Sequence, residues 1–479
     1  MRIVLVSVLL LLSTALTGYT VFTYDNFRPG PDSTALLVCT GLLWLLFALA
    51  LLALRGVSGR AVVVLVLVGS VALGGAALAG PPNTSTDSAR YAWDGIVQNA
   101  GISPYAYPPT DDRLDSLRVE WLFPAPVITA GGDAVCPGER IHRAYKDQSG
   151  ELLCSALNRS DVPTIYPPAS EIFFAGVRAI TGPGPQYWPL QLAGLLLSVG
   201  TTVMLLVGMT RRGIDLRWAA IWAWCPLVAT EAVNNSHVDM LGVVFTLAAV
   251  FLVSAGQHWR GGIMLGIAIA TKLIPVIAAP AMLRHRGWKV IVASIVTFAL
   301  LYVPYVLATG IGVLGYLPGY LSEEGYQDGS RFALISLFAP GGAAIVVAGV
   351  LLVGIALIVF FTTNQAEPWV GQLVMIGSTL LIVSPRYPWY ALLLLPFIAL
   401  SGRWEWLMVP LALSLRLLEP SLVVTQTAMA LAAIVIVLVS LRRAGPGATG
   451  RLLRAPGAWL GRRRAGARPG GGPQEPTRH

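Results

Sequence analysis

Residues 61–95 read AVVVLVLVGSVALGGAALAGPPNTSTDSARYAWDG, and two environments meet inside that stretch. Positions 61–79 carry no charge, and their length is close to the ~20 residues a helix needs to cross a bilayer core. From Gly80 onward the chain turns polar, and Asp87, Arg90 and Asp94 follow within one short run. Apolar stretches like the first recur from residue 3 to residue 441, and of the 479 residues 55% are hydrophobic and only 12% charged. Soluble domains carry roughly a quarter charged residues, so an ordinary soluble enzyme is excluded. The formal net charge of +9 is spread in short runs between the apolar stretches. A nucleic-acid binder would gather it into a patch on a folded surface, so membrane lipids and not nucleic acid are the expected partners. The reading is all-α: a polytopic helical, multi-pass protein of the cell membrane.

Spans are expected near 3–22, 35–54, 61–79, 187–209, 218–233, 240–255, 290–308, 341–361, 368–383, 390–401, 404–418 and 421–441. Residues 3–22 are long for a signal-peptide core and no clear small-residue cleavage site follows, so they read as an uncleaved first span. With the N-terminus inside, the Arg-bearing turns after residues 54, 209 and 255 fall in the cytoplasm, where basic residues prefer to be. The stretch 261–283 fits no single crossing. Arg260 precedes it, Arg284, Arg286 and Lys289 follow it, and Thr271-Lys272 with Pro275 breaks its middle. It reads as a re-entrant hairpin with both ends inside and an irregular apex lining a cavity. The plan is therefore three helices over 1–79, a large extracytoplasmic loop over 80–186, and the remaining helices with the hairpin over 187–441, about twelve transmembrane helices in all. The tail over 442–479 holds nine arginines, one acid and many Gly and Pro, and is expected to be a disordered cytoplasmic segment suited to anionic head groups.

The loop contains 12 of the 24 acidic residues and 8 of the 33 basic ones, and loops this long in a compact fold are usually functional. Asp87, Arg90, Tyr91, Asp94 and Gln98 fall on one helical stripe, with Ala89, Trp93, Ile96 and Ala100 opposite. Ser85 or Thr86 can cap the start and Gly101 can end it. The product is a short amphipathic juxtamembrane helix at the membrane interface, its two carboxylates and guanidinium turned the same way. Of the four cysteines, Cys39 and Cys225 lie in apolar runs. Cys136 and Cys154 share the loop and form the candidate disulfide, which needs an oxidising exterior.

The run Asp87-x-x-Arg90-Tyr91-x-Trp93-Asp94-Gly95, then Gly101-x-x-Pro104-Tyr105 and Tyr166-Pro167-Pro168, resembles the first outer loop of GT-C superfamily glycosyltransferases. It is similar especially to the bacterial mannosyltransferase-like members around glycosyltransferase family 87. It extends through Asn234-Asn235-Ser236-His237-Val238-Asp239, Ala270-Thr271-Lys272-Leu273-Ile274-Pro275 and Ser384-Pro385-Arg386-Tyr387-Pro388-Trp389-Tyr390. The resemblance implies a GT-C-like fold and an enzyme that moves a sugar, mannose by likeness, from a polyprenyl-phosphate donor to a lipid or cell-envelope glycan acceptor. Transfer would take place on the extracytoplasmic face, with an outer-loop aspartate as base, and Asp87 matches that aspartate.

Such a transfer needs a carboxylate to take the acceptor hydroxyl's proton and positive charge on the departing phosphate. It needs no cofactor beyond the lipid-linked sugar itself. Asp87 is assigned as base, with Asp94 as rival or as partner to acceptor or sugar hydroxyls. Arg90 orients Asp87, reaches the donor phosphate, or only pairs within its helix. Lys272, a lone cation costing ~3 kcal/mol at mid-bilayer, is assigned to the phosphate or a nearby carboxylate. Arg386 is a second phosphate candidate or an interfacial anchor. Tyr91, Tyr105, Tyr166, His237 and Asp239 are candidates for substrate binding. Two ligands such as His237 and Asp239 do not make a metal site, and Asp111, Asp112, Asp115 and Glu120 read as an acidic surface, so no metal is expected. Arg416 and Glu419 read as a structural pair. The competing class is a lipid or glycan flippase or transporter, which shares broken helices and intramembrane charge but has less need of a folded outer loop.

Overall fold

The structure, a computed structural model, describes residues 1–27, 31–138, 140–145, 151–325, 331–339 and 341–444. Of the basic tail over 442–479, expected to be disordered, residues 442–444 instead continue the last helix, and the rest lies outside the described residues. Met1–Ala432 forms one compact unit.

Three apolar helices open the chain: α1 (Arg2–Thr23), α2 (Pro31–Leu54) and α3 (Arg60–Ala76). The loop then contributes α4 (Asp87–Asn99) and α5 (Pro168–Thr181), and the long apolar α6 (Trp188–Arg212) follows. Shorter pieces come next: α7 (Ala220–Ala223), a π-wound segment Val228–Asn234, α8 (Asp239–Ser254) and α9 (His258–Thr271). The chain continues through α10 (Gly287–Thr309), α11 (Leu317–Glu323), α12 (Gly342–Thr362), α13 (Trp369–Val383), α14 (Leu395–Ser401), α15 (Met408–Leu418) and α16 (Leu422–Ala444).

Among the described residues seven helices are long and apolar enough to cross a membrane: α1, α2, α3, α6, α10, α12 and α16. The chain is a polytopic helical membrane protein, and those helices coincide with seven of the twelve expected spans. The other five stretches are shorter or broken. Val228–Asn234 and α8 form a pair bent by 111°. Pro388 and Pro396 sit in the first turns of their helical segments, where the missing N–H breaks no ladder, and Gly402 in the left-handed region stops α14. The 261–283 stretch breaks where its sequence does: α9 stops at Thr271, Lys272 is extended, and 3-10 turns cover Ile274–Ala278 and Pro280–Met282.

The loop departs from an all-α reading, because β1 (Val127–Ile128) pairs with β2 (Ala134–Val135) and β3 (His142–Tyr145) with β4 (Leu152–Ser155), both antiparallel. A disulfide joins Cys136 to Cys154, which lies on β4 opposite Arg143.

Helix α4 forms where its spacing predicts, with Gly101 at φ +79° beyond its end. Its apolar face is covered by protein, not left for a lipid surface. Ala89, Trp93 and Ile96 pack into a core with Leu114, Leu122 and Leu157 from the loop itself. On the other side Tyr91 stacks on Phe174 of α5, ring centroids 4.4 Å apart. Every residue from Ser88 to Val97 is buried. The helical period found the two faces, but the apolar islands that cover one of them are scattered singly through the loop and carry no period of their own.

Gly95 sets how closely α4 and α5 approach, since a Cβ there would stand 2.8 Å from the Phe174 carbonyl carbon. Backbone cannot give way as a side chain can. Gly95→Ala should therefore cost about 1–3 kcal/mol. A lower midpoint in thermal unfolding is expected for Gly95→Ala and none for Gly176→Ala on α5, where a Cβ meets nothing within 4 Å.

Candidate active site

The site begins with two asparagines. The Asn234 side-chain amide is shared among the carbonyls of Ala77, Gly80 and Pro81 at 3.0–3.2 Å, and its Oδ1 accepts the Asn83 N–H at 3.0 Å. Asn235 grips the next residue: its Oδ1 accepts the Thr84 N–H at 3.1 Å and its amide donates to Thr84 Oγ1 at 2.7 Å. Gln191 of α6 donates to the Gly80 and Asn234 carbonyls. The chain entering α4 is thus tied to the turn between Val228–Asn234 and α8, a turn completed by Ser236 at φ +51°. Buried backbone carbonyls have to be satisfied, and these amides do it across more than 150 residues of sequence.

That tie brings the start of α4 to a cavity of about 530 Å³. Asp87, Asn158, Arg159, Lys272 and Arg331 line it as charged or amide groups, and Tyr166, Tyr320, Trp389 and Tyr390 add aromatic surface. Ile274, Val276, Ile277, Leu380 and Val383 make an apolar wall, and Val276 is 51% exposed on the outer surface.

Asp87 stands at the N-terminal end of α4, where the helix dipole favours negative charge. Its Oδ1 accepts from Asn158 Nδ2 at 2.6 Å, its Oδ2 lies 3.6 Å from His237 Nδ1, and its N–H donates to Ser85 Oγ. Burial raises its carboxyl above the ordinary range, while Lys272, Asn158 and Arg159 pull it part of the way back. The lysine ammonium sits 2.6 Å from Asp239 Oδ2 and 4.8 Å from the centre of the Tyr390 ring. A lysine has three donors, so Asp239 can hold it without exhausting it. His237 is fully buried, stacked on Trp389 with centroids 3.7 Å apart, and its Nε2 is 3.4 Å from Glu231 Oε2.

Asp87, Tyr166 and Lys272 of the expected set therefore line one cavity, with His237 and Asp239 directly behind them. The others stand elsewhere. Arg90 pairs with Asp94 at 2.9 Å and donates to the carbonyls of Arg159 and Val162, so it braces the loop, and neither partner lines the cavity. Burial pushes the Asp94 carboxyl up and the neighbouring Glu171, held by Thr164 and Gln98, well up. Tyr91 is core, and the Tyr105 hydroxyl donates to the Tyr166 carbonyl. Arg386 is exposed and does not line the cavity, although its neighbours Pro385 and Tyr387 do. Arg416 donates to the Ser384 carbonyl, which supports that turn in place of a pair with Glu419.

Sequence reasoning missed Asn158, Arg159 and Arg331. Arg159 pairs with Glu323 at 2.8 Å and Arg331 with Glu324. They lie in aperiodic segments, where nothing marks one polar residue over the next. Among the described residues no three His, Cys, Asp or Glu side chains gather as a metal site. Asp111 and Asp115 pair instead with Arg113 and Arg118.

The sequence profile of glycosyltransferase family 87 matches residues 164–385, which include Tyr166, His237, Asp239 and Lys272 and leave out α4. A polyprenol-phosphate-mannose-dependent alpha-(1-2)-phosphatidylinositol pentamannoside mannosyltransferase of Mycolicibacterium smegmatis is 25% identical over 38% of this chain and 44% of its own length. The protein of the same description from Mycobacterium tuberculosis is 23% identical over 61% of this chain and 68% of its own. GPI mannosyltransferase 1 of Gibberella zeae is 31% identical over 20% of this chain and 24% of its own. The first match thus spans less than half of that relative's length. No solved structure matches the chain.

The Asp87 carboxyl band in difference infrared spectra should titrate above the ordinary aspartate value near ~4. Asn158→Leu removes a donor to the charged form, so the midpoint should move further up. An unshifted midpoint would show that Asn158 does not tune Asp87.

Proposed function

We propose that this chain, related to glycosyltransferase family 87, is an integral membrane mannosyltransferase with Asp87 as its general base. It uses a polyprenyl-phosphate mannose donor and a lipid or cell-envelope glycan acceptor, and works on the extracytoplasmic face. One observation carries the reading: a single cavity joins a buried aspartate and a lysine to an apolar wall that reaches the outer surface. A sugar phosphate on an isoprenoid tail has the same division of polar head and apolar chain.

In the transfer, the acceptor hydroxyl oxygen bonds to the anomeric carbon while the bond from that carbon to the phosphate oxygen breaks. The hydroxyl proton goes to Asp87, and the bonding pair leaves with the phosphate as polyprenyl phosphate. The raised proton affinity of Asp87 makes it a better base than an exposed aspartate. Lys272, aimed by Asp239, meets the charge that grows on the phosphate, and Arg159 and Arg331, each paired with a glutamate, line the same cavity.

The membrane plan goes with this reading. Thr271, at the end of α9, accepts from Ser170 of α5, and Lys272 meets Asp239, whereas Arg284 donates to the Thr363 carbonyl just beyond α12. Tyr305, late in α10, donates to Gln98 of α4. These contacts support a re-entrant hairpin whose apex is Lys272, and the proposal keeps with it the twelve crossings and cytoplasmic C-terminus expected from the sequence.

In liposomes supplied with polyprenyl-phosphate mannose and native lipid acceptors, Asp87→Asn should lose roughly 10²–10⁴-fold in kcat. Lys272→Met should raise donor KM by roughly 10-fold or more, the worth of a charge-assisted contact. Transfer at the wild-type rate by Asp87→Asn would end the assignment of the base, and movement of the lipid with no transfer would favour a flippase. Because the base must be ionised, kcat/KM should fall as pH drops through the raised Asp87 value, so the acid limb should lie above the ordinary carboxylate range.

A further inference from the structure

Behind Asp87 lies a second carboxyl group that the transfer itself does not use. Glu231, on the π-wound segment, is 3% exposed, and His237 separates it from Asp87. The three groups stand in line: Glu231 Oε2 to His237 Nε2 is 3.4 Å, and His237 Nδ1 to Asp87 Oδ2 is 3.6 Å. Both ring nitrogens are buried and make no shorter hydrogen bond in the structure. The ring is held in plane by its stack on Trp389, itself stacked on Tyr387 at 4.3 Å.

Proton counting restricts what this line can be. A neutral imidazole has one N–H and one lone pair. Facing two carboxylates, it can satisfy only one of them, and its lone pair would oppose the other. Both contacts become attractive when one carboxyl carries a proton and donates it to the ring. The surroundings choose which one. Asp87 has cationic Lys272 and Arg159 close by, opposed by the more distant charge of Asp239, and a donated hydrogen bond from Asn158. Among the described residues Glu231 has neutral hydrogen-bond partners, Asn235 Nδ2 at 3.2 Å and Thr230 Oγ1 at 3.5 Å, and the charges that act on it are the carboxylates Asp239 and Asp87. Glu231 also lines a second, small cavity whose wall holds Thr17, Thr20, Thr40, Asn83 and Ser414 besides apolar residues, with no basic side chain among the described residues that line it.

We infer that Glu231 is a positioning residue, a neutral carboxylic acid that donates to His237 Nε2 and so fixes the tautomer whose Nδ1–H points at the Asp87 carboxylate. Asp87 is then held between two neutral donors, Asn158 and His237, one on each oxygen. Its acceptor-facing lone pairs are left for the incoming hydroxyl. At 3.4–3.6 Å these contacts are longer than formed hydrogen bonds, as catalytic hydrogen bonds in ligand-free enzymes often are before substrate binds. The inference rests on Asp87 being the base of the proposed transfer.

Two substitutions test it in the liposome assay. Glu231→Leu fills the space but gives Nε2 no donor. The ring is then free to turn its lone pair toward Asp87, and kcat should fall roughly 10- to 100-fold with donor KM little changed. The acid limb should also move up in pH, because Asp87 has lost a donor to its charged form. Glu231→Gln keeps an N–H donor that cannot ionise, so it should restore most of the kcat and return the limb to its wild-type position. Wild-type kcat and pH profile in Glu231→Leu would overturn the inference, and so would a Glu231→Gln protein as slow as Glu231→Leu, since that requires an ionising carboxylate. If Glu231→Leu fails to fold by thermal melting, Glu231→Met, which likewise gives Nε2 no donor, takes its place in the comparison with Glu231→Gln. The two levels fail differently: an active Asp87→Asn protein removes the base itself, whereas an inactive Asp87→Asn protein beside an indifferent Glu231→Leu removes only the positioning role.

Discussion

A buried peptide carbonyl has to find a donor, and at the start of the long polar loop those donors are asparagine side chains from 150 residues further on. Asn234 and Asn235 take the carbonyls and N–H groups of residues 77–84 in place of water or a helix ladder. Everything chemical in the cavity depends on this. Asp87 reaches His237 because Thr84 is pinned to Asn235, and Lys272 reaches Asp239 because α8 starts directly beyond the same turn. The π winding of Val228–Asn234 and the left-handed Ser236 are the conformational cost of that turn, and such irregular backbone is tolerated at depth only where it is packed in protein or lines a cavity.

The carboxyl groups near α4 divide by what surrounds them. Asp94 has Arg90 in its own helix and stays inside the loop framework, while Glu171 is held by a threonine and a glutamine. Asp239 is matched to Lys272, and Glu231, among the described residues, to Asn235, Thr230 and His237. Asp87 alone of these faces the cavity with an amide donor on one oxygen. Of these groups, Asp87 is the one that has both a cation close by and an open side on the cavity.

Much of this was legible in the sequence, and the illegible part has a physical reason. The seven long apolar helices, α4 with its two faces and the break at Thr271-Lys272 all follow from period, length and an isolated charge, which are local properties. The broken stretches around residues 218–255 and 384–418 are as apolar as a span, and hydropathy does not distinguish a straight helix from a bent one packed inside protein. Asn158, Arg159 and Glu231 are in place through contacts between residues far apart in the chain, and Glu231 lies in an apolar run where it passed unremarked beside the more conspicuous His237 and Asp239. Arg386 stood out by its aromatic neighbours, yet the turn that puts Tyr387 and Trp389 on the cavity leaves the arginine outside it.

The apolar wall of Ile274, Val276 and Ile277 has a consequence for how a lipid-linked ligand would meet this cavity. A ligand that enters along that wall arrives by sliding in two dimensions, not from bulk water. Its availability is then a mole fraction within the leaflet, and diluting the vesicles leaves the encounter rate unchanged while diluting the donor with inert lipid lowers it. Saturation for this protein would be expressed per unit of bilayer area, and two preparations of equal molarity but different lipid content would behave as different concentrations.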